Sequence, residues 1–170
     1  MYLSKRSAVA LLSAAALAGS ATTAVSAIGN ERGDHGGHRG EPLLDASLAP
    51  SVPSDPVIDG ASAGGAPWVL RQGEVRLRRD GRLTARIRGL VIPTAPGNGT
   101  PGPVMTVSAS LYCGAGTTAV GTTPSVPISR RGNADIDGHV SVPAKCLAPT
   151  VLVHPNGAAA VYIAANGFGA

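Results

Sequence analysis

Polar and apolar residues alternate with a period of two over much of the chain beyond residue 66. Over residues 74–88, Val75, Leu77, Leu83, Ala85 and Ile87 fall on one side, and Glu74, Arg76, Arg78, Arg82, Thr84, Arg86 and Arg88 on the other. That period predicts two antiparallel strands with one face on a core and one in water. Parity fixes the register. Every apolar position is odd-numbered, so apolar cross-strand pairs need residue numbers with an even sum. A two-residue Asp80-Gly81 loop would set Leu77 against Thr84, on conflicting faces. A three-residue loop, Arg79-Asp80-Gly81, sets Leu77 against Leu83 and Val75 against Ala85, with Gly81 in the left-handed position the turn requires. The same register puts Glu74 opposite Arg86 as a cross-strand ion pair.

The alternation recurs. Met105, Val107, Ala109, Leu111 and Cys113 share one side, with Thr106, Ser108 and Ser110 opposite. Val126 and Ile128 precede a turn signal at Arg130-Arg131-Gly132-Asn133. Ala134, Ile136, Val140 and Val142 then alternate with Asp135, Asp137, His139 and Ser141. Residues 150–154 run into Pro155-Asn156-Gly157, a hairpin signal, and residues 159–165 return. With residues 68–71 this makes about eight short strands and no helix. The predicted fold is all-β, a small antiparallel β-sandwich or partly open barrel.

Composition divides the chain. Its 170 residues include 23 Gly and 14 Pro, with aromatics at 3 % and charged residues at 14 %. That excludes a coiled coil and argues against a large helical enzyme. Residues 1–27 read as a secretory signal peptide. Lys5 and Arg6 precede an apolar run over 8–18, and Val25-Ser26-Ala27 offers small residues at the cleavage site. No later stretch is long and apolar enough to span a bilayer as a helix, so the predicted product is secreted, without a membrane span. Its formal charge falls from +4 to +2 when Lys5 and Arg6 leave.

Residues 28–66 hold 8 Gly, 4 Pro and six acids against Arg32 and Arg39, with no aromatic. They read as a disordered lead, too poor in apolar surface to offset backbone entropy. Residues 67–170 carry a net +6 and read as the β domain. Cys113 and Cys146 are the only cysteines, and in a secreted chain an even pair reads most simply as a disulfide. Two free thiols used for redox chemistry are the alternative, for which a CxxC spacing is lacking.

Candidate chemistry is sparse. No nucleophile elbow, phosphate loop, dinucleotide fingerprint or HExxH motif occurs, and no catalytic residue, metal or cofactor is assigned. Arg76, Arg78, Arg82, Arg86 and Arg88 form a stripe on one exposed sheet face. Planar guanidinium groups at alternate strand positions suit the anionic groups of a polymer such as a cell-wall polymer. A solvated outer face is the plainer reading. Nucleic acid is disfavoured because no aromatic residue interleaves with the arginines for base stacking.

Asp135, Asp137 and His139 share a strand face, where neighbours lie about 6.5–7 Å apart, so a tight metal site would need a ligand from another strand. Asp34-His35-Gly36-Gly37-His38 in the lead offers a weak transition-metal site at an ordering cost. Asn98-Gly99-Thr100 fits an N-glycosylation acceptor.

The Cys113 strand, the run Val142-Pro143-Ala144-Lys145-Cys146-Leu147-Ala148-Pro149 and the closing Ala164-Ala165-Asn166-Gly167-Phe168 resemble a group of uncharacterised small secreted proteins of high-GC actinobacteria. The resemblance spans roughly residues 66–169. It implies a secreted β domain with the two cysteines joined, and carries over no catalytic or binding residue. Gly73, Val75, Leu77, Asp80, Gly81, Leu83, Ile87, Gly89 and Leu90 also resemble a strand phrase of the CHRD module, without the His-rich segment expected downstream; that likeness hints at fold alone. The reading that emerges is a secreted, non-enzymatic β domain that binds an anionic polymer or another extracellular protein, or associates with the cell envelope. Its alternative is a hydrolytic or metal-dependent enzyme built on Asp135, Asp137 and His139.

Overall fold

The computed structural model describes residues 42–167, which are all-β with no helix among them. The strands are β1 (Pro42–Pro50), β2 (Ser62–Ala63), β3 (Gln72–Arg78), β4 (Arg82–Arg88), β5 (Thr106–Tyr112), β6 (Gly121–Thr122), β7 (Val126–Pro127), β8 (Ala134–His139), β9 (Thr150–Pro155), β10 (Val161–Tyr162) and β11 (Ala164–Asn166). Nine of them make one antiparallel sheet in the order β6-β5-β9-β11-β1-β3-β4-β8, with β7 also on β5; β2 and β10 form a small parallel pair. The sheet curls into an open half-barrel. Of the two predicted architectures, the partly open barrel is the one realised.

The hairpin has the register that parity demanded. Leu77 faces Leu83, Val75 faces Ala85 and Glu74 faces Arg86. Gly81 takes φ +89°, and a Cβ there would lie 2.2 Å from the Val140 carbonyl oxygen, so only glycine fits the turn. The concave face carries Leu48, Val75, Leu77, Leu83, Ala85, Ile87, Val107, Leu111, Ile136, Val151 and Val153 in one core. The curl brings β8 back toward the opposite edge of the sheet, where a Cβ on Gly138 would stand 2.9 Å from the Thr123 side chain.

The domain boundary needs correction. Residues 42–66, predicted as part of a disordered lead, belong to the fold. β1 lies inside the sheet, paired with β3 through Leu44–Leu77, Asp45–Arg76, Ala46–Val75 and Ser47–Glu74, and with β11 through Leu48–Asn166, Ala49–Ala165 and Pro50–Ala164. Its prolines sit at its first and last positions, where a missing donor costs the ladder least. Ser51 then donates to the Ile163 carbonyl, and its own carbonyl accepts from Trp68. Residues 52–63 fold as a flap over the convex face of β9 and β11. There Ala61, Tyr112, Leu152, Tyr162 and Ala165 form a second small core, with Ile58 of the flap against it.

Smaller departures have the same origin. Residues 68–71 are no strand and contribute only the Val69–Val91 bridge. Met105, predicted on the core side of its strand, is 70 % exposed, because β5 begins one residue later. Ser108 and Ser110, predicted to face water, are buried: β5 is covered on both faces. Pro155-Asn156-Gly157 does turn the chain, with both Asn156 and Gly157 at positive φ, but the return strand β11 starts only at Ala164. Cys113 and Cys146 form a disulfide, closing the end of β5 onto residues 143–149.

Candidate functional site: a charge lattice and an adjoining groove

The two constellations singled out on separate strands are one surface. β4 pairs with β8 through Arg82–His139, Thr84–Asp137 and Arg86–Asp135. Across β1-β3-β4-β8 the convex face therefore reads in rows: Asp45–Arg76–Thr84–Asp137, then Ser47–Glu74–Arg86–Asp135. The guanidinium of Arg76 donates to Asp45 at 2.6 Å and that of Arg82 to Asp137 at 2.6 Å. Arg88 reaches Asp135 at 2.8 Å, and Arg86 stands 3.8 Å from the same carboxylate. Arg86 faces Glu74 in register, but its ion pair is with Asp135. Glu74 instead accepts a hydrogen bond from Gln72 at 3.0 Å.

The arginine stripe is thus a mixed-charge lattice rather than a uniformly cationic face. Arg78 is the member of the predicted stripe for which no ion pair forms among the described residues. Asp135 and Asp137 hold guanidinium groups, and the hydrogen bond from Arg82 keeps the Asp137 carboxyl below the usual carboxylate range. Among the described residues no group of three or more His, Cys, Asp or Glu is arranged to hold a metal ion. The Asp34, His35 and His38 candidate and the signal segment lie outside the described residues. Asn98 stands exposed in a turn at φ 47°, the placement an acceptor for glycosylation needs.

Beside the lattice, a step in the convex face opens a groove of about 920 Å³. One wall is the flap, with Asp55, Pro56 and Ile58; the other is β3, with Gln72 and Glu74. Its floor exists because two small side chains face each other across strands: Ala49 of β1 opposite Ala165 of β11. Tyr162 completes the floor, its hydroxyl donating to the Pro56 carbonyl at 2.8 Å and so pinning the flap. Burial pushes that hydroxyl's pKa up, and the charge of Asp55 adds to the rise. Asp55 also fixes its own loop, its Oδ2 accepting from the Val52 amide at 2.8 Å. An apolar floor with a few polar groups at the rim is the usual make-up of a small-molecule site. Nothing in the local sequence announces it, because its residues come from four distant segments.

His154, on the convex side of β9, is the buried titratable group that sequence reasoning missed. Its Nδ1–H donates to the Val161 carbonyl at 2.6 Å, while Nε2 is buried without a partner. Ser108 is its cross-strand neighbour. Burial holds the imidazole pKa below its ordinary value, so the ring stays neutral. The unfolded chain then takes up a proton that the fold refuses. Stability is level above about pH 6.5 and falls below it, by at most about 1.4 kcal/mol per pH unit for the one group. Urea unfolding of wild type and His154→Gln between pH 7.5 and 5 should show a shallower decline in the variant; parallel declines would refute the assignment.

These features define an all-β half-barrel, disulfide-linked, with a mixed-charge sheet face and an apolar groove at its edge. Comparison with family models, curated proteins and solved structures finds nothing that matches the chain. No helix among the described residues is long and apolar enough to cross a membrane.

Proposed function

We propose that the chain is a secreted, non-enzymatic binding domain whose ligand site is the groove between the flap and β3. The observation that carries this reading is the concavity itself: about 920 Å³, floored by Ala49, Ala165 and Tyr162 and rimmed by a few polar groups. Chemistry is left without an obvious centre. The carboxylates of Asp135 and Asp137 are engaged by arginines, and the free Nε2 of His154 is sealed from solvent. A half-exposed disulfide suits an oxidising, extracellular setting, as the predicted export segment does. The likeness to small actinobacterial secreted proteins is compatible with the same assignment.

The test uses N-phenyl-1-naphthylamine, a neutral apolar fluorophore. The full chain should bind it saturably at one site, and Ala49→Trp, which fills the floor from a partly exposed position, should abolish binding while leaving the melting temperature within a few degrees. Absence of saturable binding, or binding indifferent to Ala49→Trp, would remove the groove. Retention on heparin that disappears in an Arg76→Ser, Arg82→Ser, Arg86→Ser variant would move the ligand site to the lattice and to anionic polymers.

A further inference from the structure

The carboxylates of the convex face are treated unequally. Asp45, Asp135 and Asp137 are each within 4 Å of a guanidinium, whereas Glu74 and Asp55 form no ion pair among the described residues. Those two line the groove from opposite walls, Asp55 on the flap and Glu74 on β3. Arg71 also borders the groove and forms no ion pair among the described residues, its Nε 3.8 Å from where a Cβ on Gly89 would stand, so two carboxylates stand against one guanidinium at the rim. Between the carboxylates the floor is apolar, and the field of Asp55 reaches it, as the Tyr162 hydroxyl registers. An aliphatic body on this floor removes water around any charge attached to it, which strengthens attraction to the rim.

We infer that the groove selects amphiphilic cations, small ligands joining an aliphatic body to a single ammonium group held between Asp55 and Glu74. The inference rests on the groove being the ligand site. A neutral ligand of equal size gains only the apolar contact, and an anion meets two like charges against the single opposite charge of Arg71. Because the carboxylates are partly in water, the preference weakens as ionic strength rises.

The experiment compares decyltrimethylammonium, decanol and decanoate, each below its aggregation concentration, by displacement of the neutral fluorophore from the full chain. The ammonium ligand should bind roughly tenfold more tightly than decanol, with decanoate weakest. Glu74→Gln and Asp55→Asn keep the oxygens that accept from Gln72 and from the Val52 amide. Each should weaken the ammonium ligand by roughly fivefold and leave decanol unchanged. Equal affinities for the three ligands, still blocked by Ala49→Trp, would overturn the charge selection while the groove stands. Failure of all three, and of the fluorophore, would overturn the groove itself. Tighter binding of a Leu-Lys-Leu peptide than of the ammonium ligand would assign the site to an extended polypeptide and end the small-ligand inference.

Discussion

A chain that begins at Pro67 should fail to fold, whereas one that begins at Gly40 should unfold cooperatively. The shorter chain keeps every segment whose alternation is conspicuous, yet it lacks β1, whose two neighbours, β3 and β11, would be left as facing open edges. It also lacks Leu48, buried in the main core, and Leu43 and Leu44, which pack against that core. Fully burying one such side chain contributes about 1.5–3 kcal/mol, and a domain of this kind has about 5–15 kcal/mol in total. Losing one full and two partial leucines together with two strand ladders should take the whole of it. Dispersed amide proton shifts, or a cooperative transition in urea for the chain starting at Pro67, would contradict the central place given to β1.

Breaking the Cys113–Cys146 bond should produce the second largest loss. The bond closes a loop with a sequence separation of 33. On the chain-entropy account this constrains the unfolded state by about 4 kcal/mol. For a domain of this size, that corresponds to a fall of roughly 10–15 °C in melting temperature. Cys113→Ala with Cys146→Ala, compared with the oxidised protein by calorimetry, measures it. The effect should show in the unfolding equilibrium and leave the 74–88 hairpin register intact, since the disulfide ties the far end of β5. A shift below about 3 °C would mean that the unfolded chain gains little freedom when the link is cut.

What was legible in the sequence was whatever a single stretch encodes by itself. The register of β3 on β4 was readable because odd-numbered apolar residues flank a glycine that must be left-handed. β8 was readable from Ala134 and Ile136 alternating with Asp135 and Asp137. β1 was not, because Leu43 and Ala49 blur the alternation of Leu44, Ala46 and Leu48, prolines stand at both ends, and a Gly-rich, acidic stretch precedes it. Its strand state comes from partners that both lie later in the chain, β3 near residue 75 and β11 near residue 165. The candidate sites were legible in the same partial manner. Each of the arginine stripe and the Asp135-Asp137-His139 face was visible as a side of one strand or hairpin, and each invited a ligand from outside. Their pairing across β4 and β8 supplies each with the other. The groove was invisible because its defining property is the smallness of Ala49 and Ala165 at one crossing point.

The neighbourhood of β1 and β11 has a temporal consequence. The first strand of the described fold finds one of its two partners only at residues 164–166, at the other end of the chain. In any process that presents the polypeptide from its N-terminus, β1 emerges early and waits for residues 164–166 before its second edge is filled. Contacts of such long sequence separation slow folding, because the loop must close before the reward arrives. A chain organised in this order cannot fill the second edge of β1 before residues 164–166 are available to pair with it.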